Sequence, residues 1–223
     1  MAYHKFSRFR QQENMPGLGK FIAIYGINNL GKTTQAQMLV RRINESSQNG
    51  VDCIYLKYPL YDLVPTGPVI NDYLRSGNPL RLSPQTFQVL NVLNRNQFDG
   101  IVRAHLTLTQ TDESDRFTHI VAEDYIGTGI AWGVGAGVDE EFLIELNTHL
   151  VNPDIAFLFD GKRFDEGREE GHTHESNDDL TERVRLIHLD LARKFGWHVV
   201  NANRPREIIH EEIWSKVEPL LGK

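Results

Sequence analysis

Residues Lys20–Gln35, KFIAIYGINNLGKTTQ, decide the fold of this chain. Phe21, Ile22, Ala23, Ile24 and Tyr25 form a short apolar run of strand-forming residues, which Gly26 ends. From Lys32 a helical period takes over, with Ala36, Leu39, Val40 and Ile43 on one face. Between them lies Gly26-x-x-x-x-Gly31-Lys32-Thr33, the phosphate-binding P-loop pattern in the strand–loop–helix setting it requires. A loop that wraps phosphates turns backbone N–H groups inward, and glycine at Gly26 and Gly31 tolerates the positive φ this demands. Asn28 and Asn29 suit a tight polar turn. The first helical turn, Lys32-Thr33-Thr34, adds unpaired N–H groups and the positive end of the helix dipole. Lys32 would reach the β- and γ-phosphates of ATP, and the Thr33 hydroxyl would ligate a bridging Mg²⁺. The stretch reads as a nucleoside triphosphate site.

The remaining sequence frames that site. With 223 residues, 40% hydrophobic and 24% charged, the chain fits one ordinary α/β domain with a substantial core. A formal charge of −6 argues against non-specific nucleic-acid or anionic-membrane partners, though not against a local basic pocket. A single cysteine, Cys53, excludes an intramolecular disulfide and a cysteine zinc cluster, and its strand-like surroundings make it a core residue. Basic residues near the N-terminus precede no apolar stretch of signal length, and no later run reaches a membrane span, so a cytoplasmic location is expected.

In chain order, residues 1–19 form a polar arm and 20–223 a single kinase-sized domain. Asn49-Gly50 punctuates the end of the P-loop helix, and Val51–Tyr58 is a second strand stopped by Pro59. A helix spans Thr66–Leu74. Ser83-Pro84 caps another, running with a break near Gly100 to about Thr109. Phe117–Glu123 and Ile155–Phe159 are buried strands. Between them lie a glycine-rich segment, Gly127–Gly137, and a helix capped by Asp139 and running to Leu150. A charged stretch poor in aliphatic residues, about 161–179, suits a surface lid. A helix over Leu180–Phe195, a strand over Trp197–Asn201 and a helix over Pro205–Leu221 complete the chain. Such alternation predicts a three-layer αβα sandwich of the P-loop NTPase type, with about five parallel strands and ligands at their C-terminal edge.

The order of these motifs resembles the thymidylate kinase family of nucleoside monophosphate kinases. The matching parts are Gly31-Lys32-Thr33-Thr34, Lys57-Tyr58-Pro59, Pro65-Thr66-Gly67 and Leu93-Asn94-Arg95-Asn96-Gln97, then Glu123-Asp124-Tyr125 with Thr128-Gly129-Ile130-Ala131-Trp132. Asn152-Pro153-Asp154 and Glu175 with Arg183-Val184-Arg185 continue the series. The resemblance implies γ-phosphoryl transfer from ATP to a deoxynucleoside monophosphate, usually dTMP, with Mg²⁺. It also implies acceptor contacts from Tyr58, Pro59, Asp62, Arg95, Tyr125 and Trp132, and a metal site from Thr33 with Glu123 or Asp124. Because the P-loop lacks an arginine, the family's cation on the transferring phosphate falls to the lid, to Arg168 before Arg163. His172 and His174, with Glu175, are polar lid residues rather than a zinc site. The family commonly dimerises through long helices, a role that Ser83–Thr109 would fill.

Departures from the pattern concern the acceptor base. Asp124 stands where the family's Asp-Arg-Tyr motif has arginine, Asn91 where a phenylalanine stacks on thymine, and Gly133 where a glutamine follows the pocket aromatic. Trp132 or Tyr61 would supply the stacking surface instead. Two other readings stay open on sequence grounds. A deoxynucleoside kinase would use Glu123 or Asp62 as general base toward a 5′-hydroxyl. A non-catalytic nucleotide sensor would bind ATP without turnover.

Overall fold

The structure is a computed structural model and describes residues 19–46, 52–107, 109–111, 114–116, 118–164 and 178–221. The elements are β1 (Phe21–Tyr25), α1 (Lys32–Ser46), β2 (Asp52–Lys57), α2 (Thr66–Arg75), α3 (Pro84–Leu106), β3 (Thr109–Thr111) and β4 (Ser114–Arg116). Then come β5 (Thr118–Glu123), α4 (Ile126–Gly135), α5 (Glu140–Asn147), β6 (Ile155–Asp160), α6 (Asp178–Phe195), β7 (His198–Asn201) and α7 (Arg206–Val217), with a 3₁₀ turn at Glu218–Leu220.

Five parallel strands form the central sheet in the order β2-β5-β1-β6-β7. Strand β1 lies at its centre, every side chain buried, as a parallel strand covered on both faces must be. Ile24 and Lys57 both stand in register with Glu123, so β1, β2 and β5 end together at the carboxyl edge. That alignment brings the P-loop and an acid–lysine pair to one rim. The remaining pair, β3 and β4, is a short antiparallel hairpin that the sequence reading left unassigned.

One further expectation needs correction. Helix α3 runs unbroken through Gly100, whose extra flexibility costs a helix only about 1 kcal/mol. Just before it, buried Asp99 accepts from Val151 N at 3.0 Å, fastening the helix to the chain after α5, and from Arg103 Nε at 2.6 Å, bridging the glycine within the helix. Most of the glycine-rich segment, which the sequence left without an assignment, is helical over Ile126–Gly135. Its glycines serve close packing: a Cβ on Gly129 would stand 2.3 Å from Arg95 Nη2, and one on Gly133 would stand 2.6 Å from Leu143 Cδ1. Asp139 caps α5 as expected, accepting from Phe142 N at 2.8 Å. No helix among the described residues is long and apolar enough to cross a membrane.

Candidate active site

The P-loop leaves β1 and turns back into α1 through three left-handed residues, Gly26 at φ 137°, Asn29 at 61° and Gly31 at 76°. At Gly26 the requirement is doubled, because a side chain there would also strike Phe159 O of β6 at 2.6 Å. Lys32 is buried, its Nζ donating to Ile27 O at 2.9 Å and standing 3.5 Å from Asp124 Oδ1. The lysine is thus held over its own loop by a carbonyl and a carboxylate. Asn29 O accepts from Phe164 N at 2.9 Å, which ties the loop to the start of the charged segment.

Glu123 closes β5 with both oxygens occupied. Thr33 Oγ1 donates to its Oε1 at 3.0 Å and Tyr55 OH to its Oε2 at 2.6 Å, while Lys57 Nζ stands 3.2 Å from Oε1. Burial alone would raise the Glu123 carboxyl, but Lys32, Lys57 and the two hydroxyls outweigh it and hold the group below the usual range. Next to it, Asp124 adopts φ 58° and is raised to about 6 by burial, with Glu123 adding and Lys32 opposing. Thr128 Oγ1 donates to Asp124 Oδ1 at 3.2 Å. A threonine hydroxyl and an ionised carboxylate side by side at a P-loop are hard oxygen donors, and this set fits Mg²⁺.

The other half of the cleft is built on α3. Asn94 and Gln97 fasten the loop between β2 and α2: Asn94 bonds Leu60 N and O and Thr66 Oγ1, and Gln97 Nε2 donates to Val64 O at 2.8 Å. Arg95, between them in sequence, turns inward and is buried. Its Nη1 donates to Asn147 Oδ1 at 3.3 Å, and its Nε has no partner among the described residues. Burial works against the charged form of this guanidinium, and the nearby Tyr125, Tyr58, Tyr25 and Asp124 work for it. A buried, under-bonded arginine facing a cleft is a ready anion receptor.

Both halves border one cavity of about 370 Å³, which reaches from Asn28–Thr33 past Lys57, Glu123 and Asp124 to Arg95 and Trp132. Tyr58 and Pro59, joined by a cis peptide, lie on its wall. Four expected residues do not, the first being Gly26, which lies against Phe159 O at the foot of the loop. Asp62 is exposed outside the lining, because Asn94 and Gln97 pin its loop with that side chain outward. Tyr125 is core, its ring 5.0 Å from Phe21 and 5.1 Å from Tyr58. Thr34 is exposed on α1 beside the lining. Arg168, His172, His174 and Glu175 fall outside the described residues, as does the end of α1 at Asn49-Gly50. Arg163 is described: its Nη1 lies 3.4 Å from Asp178 Oδ1, and its buried Nε and Nη2 have no partner among the described residues.

Sequence reading missed Lys57 as a site residue, along with Thr128, Gln88 and Phe164 on the lining. Lys57 had a usable signal, since a lysine closing a strand beside an acid-ended strand meets that acid in a parallel register.

A phosphate loop and a buried arginine at opposite ends of one cleft define a P-loop phosphotransferase that handles two phosphorylated substrates. The family model described as thymidylate kinase matches residues 24–213, and the chain belongs to the thymidylate kinase family. The thymidylate kinase of Halothermothrix orenii is 27% identical over 220 residues, covering 92% of this chain and 99% of that protein. That of Dictyostelium discoideum is 25% identical over 208 residues, covering 92% and 87%. Among solved structures, the thymidylate kinase of Candida albicans superposes with a TM-score of 0.71 over 91% of this chain and 92% of that one. At 20% identity this likeness speaks for the fold alone.

Proposed function

We propose that this chain transfers the γ-phosphoryl group of ATP to dTMP, giving dTDP and ADP. The observation that carries the reading is the single cleft with Lys32 and Thr33 at one end and buried Arg95 at the other. The P-loop amides and Lys32 bind the β- and γ-phosphates, and Arg95 holds the acceptor phosphate by its guanidinium fork. Mg²⁺, held by Thr33 and Glu123, supplies neutralisation of charge on the phosphates. Lys57 and Tyr55 keep Glu123 ionised and oriented. Asp124 and Ile27 O together steady Lys32. Catalysis here is positioning and charge compensation, with Arg163, at the root of the lid, the described candidate for a cation folding over the transferring group.

Two observations favour a monophosphate over a nucleoside acceptor. Asp62, one of two candidate bases, stands outside the cleft, and Glu123 is tied to Thr33 at the phosphate-loop end, opposite Arg95. ADP release from Mg-ATP with dTMP, against thymidine as control, tests the reading. Stimulation by dTMP alone is expected, and stimulation by thymidine alone would overturn it. We also propose that two copies pair through the outer face of α3, where Leu93 and Ile101 are 45% and 46% exposed.

A further inference from the structure

We infer that Lys57 is a relay cation: it holds the metal's place before nucleotide binds and, displaced by Mg²⁺, moves onto the phosphate of the acceptor. The inference rests on the dTMP reading and adds to it a coupling between the two ends of the cleft.

Three atoms carry it. Lys57 Nζ stands 3.2 Å from Glu123 Oε1 and donates to Thr33 Oγ1 at 3.3 Å, and Thr33 Oγ1 in turn donates to Glu123 Oε1 at 3.0 Å. The ammonium thus closes a triangle on the same two oxygens that suit Mg²⁺. Neighbouring ligands of an octahedral Mg²⁺, each at about 2.1 Å, lie about 3 Å apart. The separation of these two oxygens matches that edge. A divalent cation does not share them with an ammonium, because like charges so close repel strongly in a partly buried site. Glu123 stays oriented when the lysine leaves, since Tyr55 OH donates to its other oxygen at 2.6 Å. Lys57 is the part free to move.

Where it goes follows from its place in the sheet. Lys57 ends β2 in register with Glu123, and the next two residues, Tyr58 and Pro59, lie on the cleft wall. Its side chain is 51% exposed and lines the same cavity as Arg95. Lys32 and Arg95, by contrast, are both buried. A compact ammonium on a flexible four-carbon stem finds a new partner by rotation alone. The donor phosphates are already served by the P-loop amides and Lys32. The anion left for the displaced lysine is the phosphate on Arg95.

Calorimetric titration of the full chain with dTMP tests this, with and without saturating Mg²⁺ and a non-hydrolysable ATP analogue. The wild-type protein should bind dTMP about five- to tenfold more tightly with both present, a usual size for coupling between sites. The analogue in EDTA should give no gain, because Lys57 then stays on Glu123. Lys57→Met should bind dTMP equally in every condition, and Lys57→Arg should keep most of the gain. If the lysine only orients Glu123, Lys57→Met weakens the complex with Mg²⁺ and analogue but leaves the coupling factor as in wild type. Coupling that persists in Lys57→Met, that appears without Mg²⁺ or that is absent from the wild-type protein would overturn the role. A protein that binds dTMP in none of these conditions would instead overturn the acceptor reading, and the role with it.

Discussion

Arg95 can be displaced without being mutated. Because a methyl group on Gly129 would stand 2.3 Å from Arg95 Nη2, Gly129→Ala should raise the KM for dTMP about tenfold with the KM for ATP nearly unchanged. Steady-state kinetics with each substrate varied in turn checks the split, and equal effects on both substrates would contradict it. Lys32→Met should lower kcat by about a hundred- to a thousandfold in a protein that still folds, since the lysine contributes transition-state charge rather than core. At this scale the donor end of the site was legible because its information is local: Gly26, Gly31, Lys32 and Thr33 fall within eight consecutive residues. The carboxylate beside it was less so. Glu123 owes its state to Lys57, Tyr55 and Thr33, residues far apart in sequence that only sheet register and loop closure bring together. Tyr125 and Asp62 were misplaced for the same reason, because whether a side chain in the connection after a strand turns to the cleft, the core or solvent depends on its neighbours.

The helices show what pattern reading captures. Caps and periodicity located α3 and α5, as the Ser83 and Asp139 side chains each accept from a first-turn amide. Glycine misled at Gly100, where it is tolerated inside a helix, whereas in α4 it is required by close neighbours. Helix α6 carries a testable consequence of its packing. His188 is buried there with Nδ1 3.0 Å from Val184 O, and its Nε2 has no partner among the described residues. Burial pushes this imidazole down to about 3; the Val184 carbonyl opposes the shift and the Lys32 charge adds to it. The folded protein therefore leaves His188 neutral while the unfolded chain takes up a proton near pH 6.5. Its contribution is full above that pH and is lost as the pH falls toward 3, at about 1.4 kcal/mol per unit. Urea denaturation between pH 7 and 5 should show a shallower loss in His188→Leu than in wild type, and parallel curves would refute the assignment.

On the scale of the whole molecule, alternation of short apolar strands with amphipathic helices identified the five-stranded parallel sheet, yet the strand order is a property of packing that no motif spells out. Helix α3 leaves Leu93 and Ile101 toward solvent. If two copies pair there, Ile101→Arg should convert a dimer to a monomer in sedimentation equilibrium while leaving dTMP affinity within about twofold, since the side chain is not among those that line the cleft. A monomeric wild-type protein would contradict the pairing. The central claim is that one cleft joins a γ-phosphoryl donor to a nucleoside monophosphate. Its most direct test is to incubate the protein with γ-labelled ATP, Mg²⁺ and dTMP and to separate the products. The account predicts label in dTDP, with transfer lost in Lys32→Met. Label appearing in dTMP from added thymidine, or only in inorganic phosphate, would contradict it.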